Sequence, residues 1–214
     1  VILWLSSFPS PTQAVTIRNE REKAPGFRRS RGMAMATQPP PTADLLLDAK
    51  CRHTLRSLRQ AHAHAVKLGL AHDNYVAGSL VKHYAHPDLR TLDAALKVFD
   101  QVPTPHAFLW NSLIRGCLDG GAPGDAVSLY SAMLARGCAP NRYTFPPLFM
   151  ACTSAGAAEE GRQLHAHAVK HGLGRDRYAV SAGIQMYSAR GGVADARRML
   201  EGGGDAADAV CWNA

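Results

Sequence analysis

The sequence predicts an all-α fold of stacked helix-turn-helix repeats. Three observations point to helical hairpins in a stack. The first is an internal repeat: residues 59–73, RQAHAHAVKLGLAHD, recur as RQLHAHAVKHGLGRD at 162–176, with eleven of fifteen positions identical. Tyr75 and Tyr84 match Tyr178 and Tyr187 at the same offset of 103, and Trp110-Asn111 matches Trp212-Asn213 at 102. A period near 102 divides by three into units of about 34 residues, the length of a helix–turn–helix repeat. The second observation is helical spacing of apolar residues without strand alternation. The third is punctuation by Pro and Gly at the spacing of helix starts and stops.

The elements follow in chain order. Residues 1–38 mix Ser, Pro and Arg, and Pro9, Pro11 and Pro25 break helical pattern. This stretch is expected to be an unfolded leader: a transit peptide, or sequence ahead of a start at Met33 or Met35. Pro39-Pro40-Pro41 forms a stiff boundary. Further on, Trp110, Leu113, Ile114 and Cys117 share one helical face between Phe108 and Leu118, and Gly120-Gly121 ends that helix. Pro123 then opens the partner helix, with Asp125 near its positive N-terminal end. Ala126, Leu129, Tyr130, Met133 and Leu134 form its apolar stripe, and Gly137 with Pro140 stops it. A single hairpin cannot bury its apolar face alone, so its neighbours must stack on it. Ala95, Ala126, Gly161 and Ala196 recur once per unit, where small residues let helices approach closely.

Composition narrows the class. The chain has 214 residues, 46% hydrophobic and 19% charged, which excludes wholesale disorder. No apolar run reaches the length of a transmembrane helix, so no membrane partner is expected. The formal net charge is +7, which by itself suggests an anionic partner. More than half of that excess lies in residues 1–35, where six basic residues face two acidic ones. Cys51, Cys117, Cys138, Cys152 and Cys211 include no C-x-x-C pair and read as reduced, mostly buried thiols.

The units themselves carry a resemblance. Residues 107–141 read Trp110-Asn111-Ser112-Leu113-Ile114-Arg115-Gly116, then Ala126, Met133 and Arg136-Gly137-Cys138-Ala139-Pro140-Asn141. This resembles the standard pentatricopeptide repeat almost end to end, in its plant branch of alternating standard, long and short repeats. Residues 142–176, with Tyr143-Thr144-Phe145-Pro146 and Leu164-His165-Ala166-His167, resemble the long variant. Residues 74–106 and 177–208 resemble the short variant, and 39–73 a long unit with a degenerate first helix. Residues 209–214 resemble the start of a further, truncated repeat.

The resemblance implies a right-handed α-solenoid whose groove, lined by first helices, holds single-stranded RNA at about one base per repeat. The second position of each unit is Tyr75, Phe108, Tyr143, Tyr178 or Val210. The four aromatics are the expected base-stacking residues, and a buried core role is the alternative. By the family's two-residue code, the fifth and last positions read the base. Asn111 with Asn141 implies a pyrimidine, and Ser181 with Asp208 implies guanine. Pro146 offers no side-chain hydrogen bond, and Gly78 with His106 departs from the code.

His62 and His64, like His165 and His167, stand two apart on a helix and so cannot chelate one ion. The H-x-E and P-C-x-x-C signatures of a zinc deaminase are absent from these residues. The expectation is a non-catalytic adaptor with no metal, cofactor or small-molecule substrate. It would bind single-stranded RNA, with other editing or processing factors as partners, in mitochondrion or chloroplast, the mitochondrion favoured. C-to-U editing or transcript maturation is the implied process. A protein-binding scaffold built of similar hairpins and a fragment without independent function are the alternatives.

Overall fold

The computed structural model describes residues 54–203 except Arg90 and Arg190. All regular structure in this span is helical: α1 (Leu55–Lys67), α2 (Asn74–Tyr84), α3 (Leu92–Asp100), α4 (Ala107–Asp119), α5 (Pro123–Ala135), α6 (Phe145–Ala155), α7 (Ala158–Lys170), α8 (Arg177–Ser188) and α9 (Val193–Gly203). Residues 1–38, expected as a leader, residues 39–53 and those from 204 onward lie outside the described residues.

Local chemistry sets these boundaries. The α5 helix begins at Pro123, where the missing amide hydrogen costs nothing, and Asp125 sits in its first turn. Its far end closes through Gly137 at φ 71°, a left-handed conformation that favours glycine. That turn lets Gly137 N donate to Leu134 O at 2.9 Å and Cys138 N to Met133 O at 3.1 Å, so the last carbonyls find partners.

The helices pair as α2/α3, α4/α5, α6/α7 and α8/α9, and each pair packs on the next. The first helices α2, α4, α6 and α8 contact one another in succession and form a continuous layer. The second helices α3, α5 and α7 each pack on their own partner and on the first helix of the following pair. The core runs unbroken along this layer, with Leu80, Leu109, Trp110, Leu113, Leu129, Phe145, Phe149 and Leu164 all fully buried. Trp110 meets Phe99 edge to face at 4.6 Å between ring centres, and the Arg136 guanidinium covers both rings.

The small residues sit where the helices come closest. Ala95 and Ala126 are fully buried and Ala196 is buried. A Cβ built on Gly161 would stand 2.3 Å from Met186 Sδ in the next hairpin, so a larger residue here would require the Met186 side chain to shift. Cys117 and Cys152 are buried free thiols and Cys138 is half-buried. Burial pushes the Cys117 and Cys152 thiols up to about 12, with Asp125 and Glu160 adding to the effect.

Candidate nucleic-acid interface

The first-helix layer places its second residues on the surface. Tyr75, Phe108, Tyr143 and Tyr178 are 38%, 40%, 65% and 46% exposed. The other aromatics of the described residues, Tyr84, Phe99, Trp110, Tyr130, Phe145, Phe149 and Tyr187, are buried. The local reason is the helix start. Each exposed aromatic occupies the first turn of a first helix, or the turn just before it, ahead of the inward-facing apolar positions. Exposure of four large rings in one layer answers the question the sequence left open: they are not core.

For three of the four aromatics the last residue of the preceding unit holds this turn in place; His106, before Phe108, makes no side-chain cap. Asp73 Oδ1 accepts the Tyr75 and Val76 amides at 3.0 Å each. Asp176 Oδ1 accepts those of Tyr178 at 3.1 Å and Ala179 at 3.4 Å. Asn141 Oδ1 accepts the Tyr143 amide at 3.0 Å. Asp73 and Asp176 therefore cap α2 and α8, and Asn141, a candidate base reader, holds the Tyr143 turn ahead of α6. Sequence reasoning named Asn141 only as a base reader and gave Asp73 and Asp176 no such part. An Asp directly before a first helix was the signal that could have shown the capping.

Phe108, Asn111, Asn141, Tyr143, Pro146 and Tyr178 line one groove of about 750 Å³ across α4, α6 and α8. Lys82, Arg115 and Arg142 bring positive charge to it. Arg115 pairs with Asp119 at 2.9 Å, and Arg142 lies 3.8 Å from Asp176. Tyr75 and Ser181 stand in the same first-helix layer but outside this groove lining. Asp208, the expected partner of Ser181, lies outside the described residues, as does Val210.

The groove's polar centre is a closed network. Asn111 is 9% exposed, and its Nδ2 donates to Asn141 Oδ1 at 2.9 Å. Thr144, fully buried, accepts the Asn141 amide at 3.0 Å and donates its hydroxyl to Asn111 Oδ1 at 2.9 Å. No buried side-chain polar atom among the described residues lacks a partner. Thr144 was absent from the sequence-based candidates, because only the fold brings it to Asn111, 33 positions earlier.

Two further positions explain where reading is blocked. A Cβ on Gly78 would lie 2.5 Å from the Phe108 ring, so that ring fills the space a fifth-position side chain would occupy. Pro146 brings only apolar surface to the groove. Three of the four paired histidines pack between hairpins, while His64 is exposed. His62 Nδ1 meets Tyr84 Oη at 3.2 Å, His165 Nδ1 meets Tyr187 Oη at 3.0 Å, and His167 Nδ1 meets Tyr130 Oη at 3.3 Å. Burial lowers all three imidazoles below the ordinary histidine value.

A layered stack of two-helix units, with aromatics and amides repeated along one layer, defines an α-helical repeat protein. The chain belongs to the pentatricopeptide repeat family: the PPR repeat family model matches residues 105–154. A chloroplastic pentatricopeptide repeat-containing protein of Arabidopsis thaliana is 35% identical over 162 residues, 75% of this chain and 22% of the relative. A second Arabidopsis protein of that name is 37% identical over 152 residues, 69% of this chain and 23% of the relative. A mitochondrial one is 34% identical over 152 residues, 71% of this chain and 14% of the relative. The chain thus spans about a quarter, or less, of the length of these curated relatives. No helix among the described residues is long and apolar enough to cross a membrane.

Proposed function

We propose that this chain is a segment of a single-stranded-RNA-binding adaptor that selects transcript sites for processing in a plant organelle. The observation that carries this reading is that the exposed aromatics of the described residues, Tyr75, Phe108, Tyr143 and Tyr178, stand at the second position of successive hairpins. Exposed rings cost solvation and repay it by stacking on planar partners, and each stacked base contributes about 1–3 kcal/mol. The lysine and arginines of the groove suit a phosphate backbone passing between those rings.

Asn111 with Asn141 is the reader of a pyrimidine, since amides supply hydrogen-bonding groups to a base edge. Ser181 with Asp208 is the guanine reader in the last unit. The alternation of standard, long and short units, with boundaries as given above, favours site selection for C-to-U editing over other maturation steps. The names of the relatives, chloroplastic and mitochondrial, support an organellar address.

The test is selection of the purified 214-residue chain against a randomised single-stranded RNA pool, with duplex RNA and single-stranded DNA pools beside it. Enrichment of single-stranded RNA with a pyrimidine fixed at one position supports the proposal. Equal retention of all three pools overturns it. So does retention of none, which would favour a protein-binding scaffold.

A further inference from the structure

The polarity of the groove's central network is dictated by two backbone amides. The Tyr143 amide can only donate, so the atom it meets on Asn141, 3.0 Å away, is the carbonyl oxygen Oδ1. The same oxygen accepts from Asn111, so the atom facing it there is the nitrogen Nδ2. The Asn141 amide also can only donate, and it donates to Thr144 Oγ1 at 3.0 Å. The single hydroxyl proton of Thr144 then goes to Asn111 Oδ1 at 2.9 Å, closer than Asn141 Oδ1 at 3.4 Å. Turning either amide over would set carbonyl against carbonyl or N–H against N–H.

We infer that Thr144 is a positioning residue that locks the Asn111–Asn141 pair with N–H groups toward the groove, and so makes the subsite select cytosine over uracil. This rests on the RNA reading of the groove. With Asn111 Oδ1 bonded to Thr144 and Asn141 Oδ1 to Tyr143 and Asn111, the pair keeps three N–H groups, one of Asn111 and two of Asn141, against a single remaining lone pair on Asn111 Oδ1. Cytosine turns two neighbouring acceptors, N3 and O2, to such donors. Uracil places an N3–H between its two carbonyl oxygens, and that proton would face another N–H. Thr144 itself is fully buried and touches no base; it acts through the two amides.

The experiment compares binding of the full 214-residue chain to fluorescent oligocytidine and oligouridine of about ten nucleotides. The wild type and the T144V and T144S variants are measured side by side, with folding checked by thermal melting. The wild type should favour oligocytidine by about tenfold, the size of one hydrogen bond gained against one opposed. T144V keeps the shape and loses the hydroxyl, and its ratio should fall toward one. T144S restores the hydroxyl and should restore the ratio. A purely structural role would weaken both oligomers alike and leave the ratio unmoved, and that result overturns the inference. A wild-type ratio of one also overturns it, whether or not T144V folds. Failure of the wild type to bind either oligomer sinks the RNA reading as well.

Discussion

Asn111 Nδ2 lies 2.9 Å from Asn141 Oδ1, joining the fifth residue of one unit to its last across 30 positions. The two side chains proposed to read one base are thus a single preorganised group. Asn111→Ala would leave the Thr144 hydroxyl and Asn141 Oδ1 each short of a partner. The expected cost is about 1–3 kcal/mol of unfolding free energy, the size of a broken buried hydrogen-bond network. Pyrimidine preference should be lost with it. Urea denaturation and competition binding check the two effects separately.

Helix contact at α4 is set by Gly116, where a Cβ would stand 2.4 Å from Ala85 Cβ and 3.2 Å from its carbonyl oxygen. Neither atom has a flexible chain to move. Gly116→Ala should therefore lower stability by about 1–3 kcal/mol, despite the helix propensity it gains. Gly202 in α9 has no atom within 4 Å of such a Cβ. Gly202→Ala should raise stability by up to about 1 kcal/mol. Opposite shifts of melting temperature in the two variants are the expected result.

The buried histidines give the fold a pH dependence. His62, His165 and His167 titrate lower in the folded chain than their ordinary 6.5, because burial opposes the charged ring. Below that value the unfolded chain takes up protons that the folded chain resists. Stability is therefore fully present above about pH 6.5 and falls as the pH drops through the lowered folded values. Melting temperatures measured from about pH 8 to about pH 5 should decline only in the acidic half. His165→Gln, which removes the titrating group beside Tyr187, should flatten the decline.

Much of the fold was legible in the chain. The 59–73 repeat, the Pro123 and Gly137 signals and the Ala126, Leu129, Tyr130 and Met133 stripe all locate hairpins that the structure contains. These signals are local or periodic, which is why one sequence carries them. The site was legible only in outline. Tyr143 and Tyr187 have the same composition, yet one is 65% exposed and the other 9%, a difference set by the layer against which each turn packs. Thr144 was hidden because its partners, Asn111 and Asn141, belong to the preceding unit. The contact of Phe108 with Gly78 likewise joins two units, and nothing in the glycine alone announces the ring above it.

The central claim is that the exposed aromatics of the first-helix layer hold single-stranded RNA. The most direct measurement is the dissociation constant of the 214-residue chain and of its Tyr143→Ala/Tyr178→Ala variant for one enriched single-stranded RNA. Both tyrosines are exposed, so the variant should melt within about 0.5 kcal/mol of the parent. Its affinity should fall by at least tenfold, since each lost stack costs about 1–3 kcal/mol. An unchanged dissociation constant in a folded variant would contradict the account.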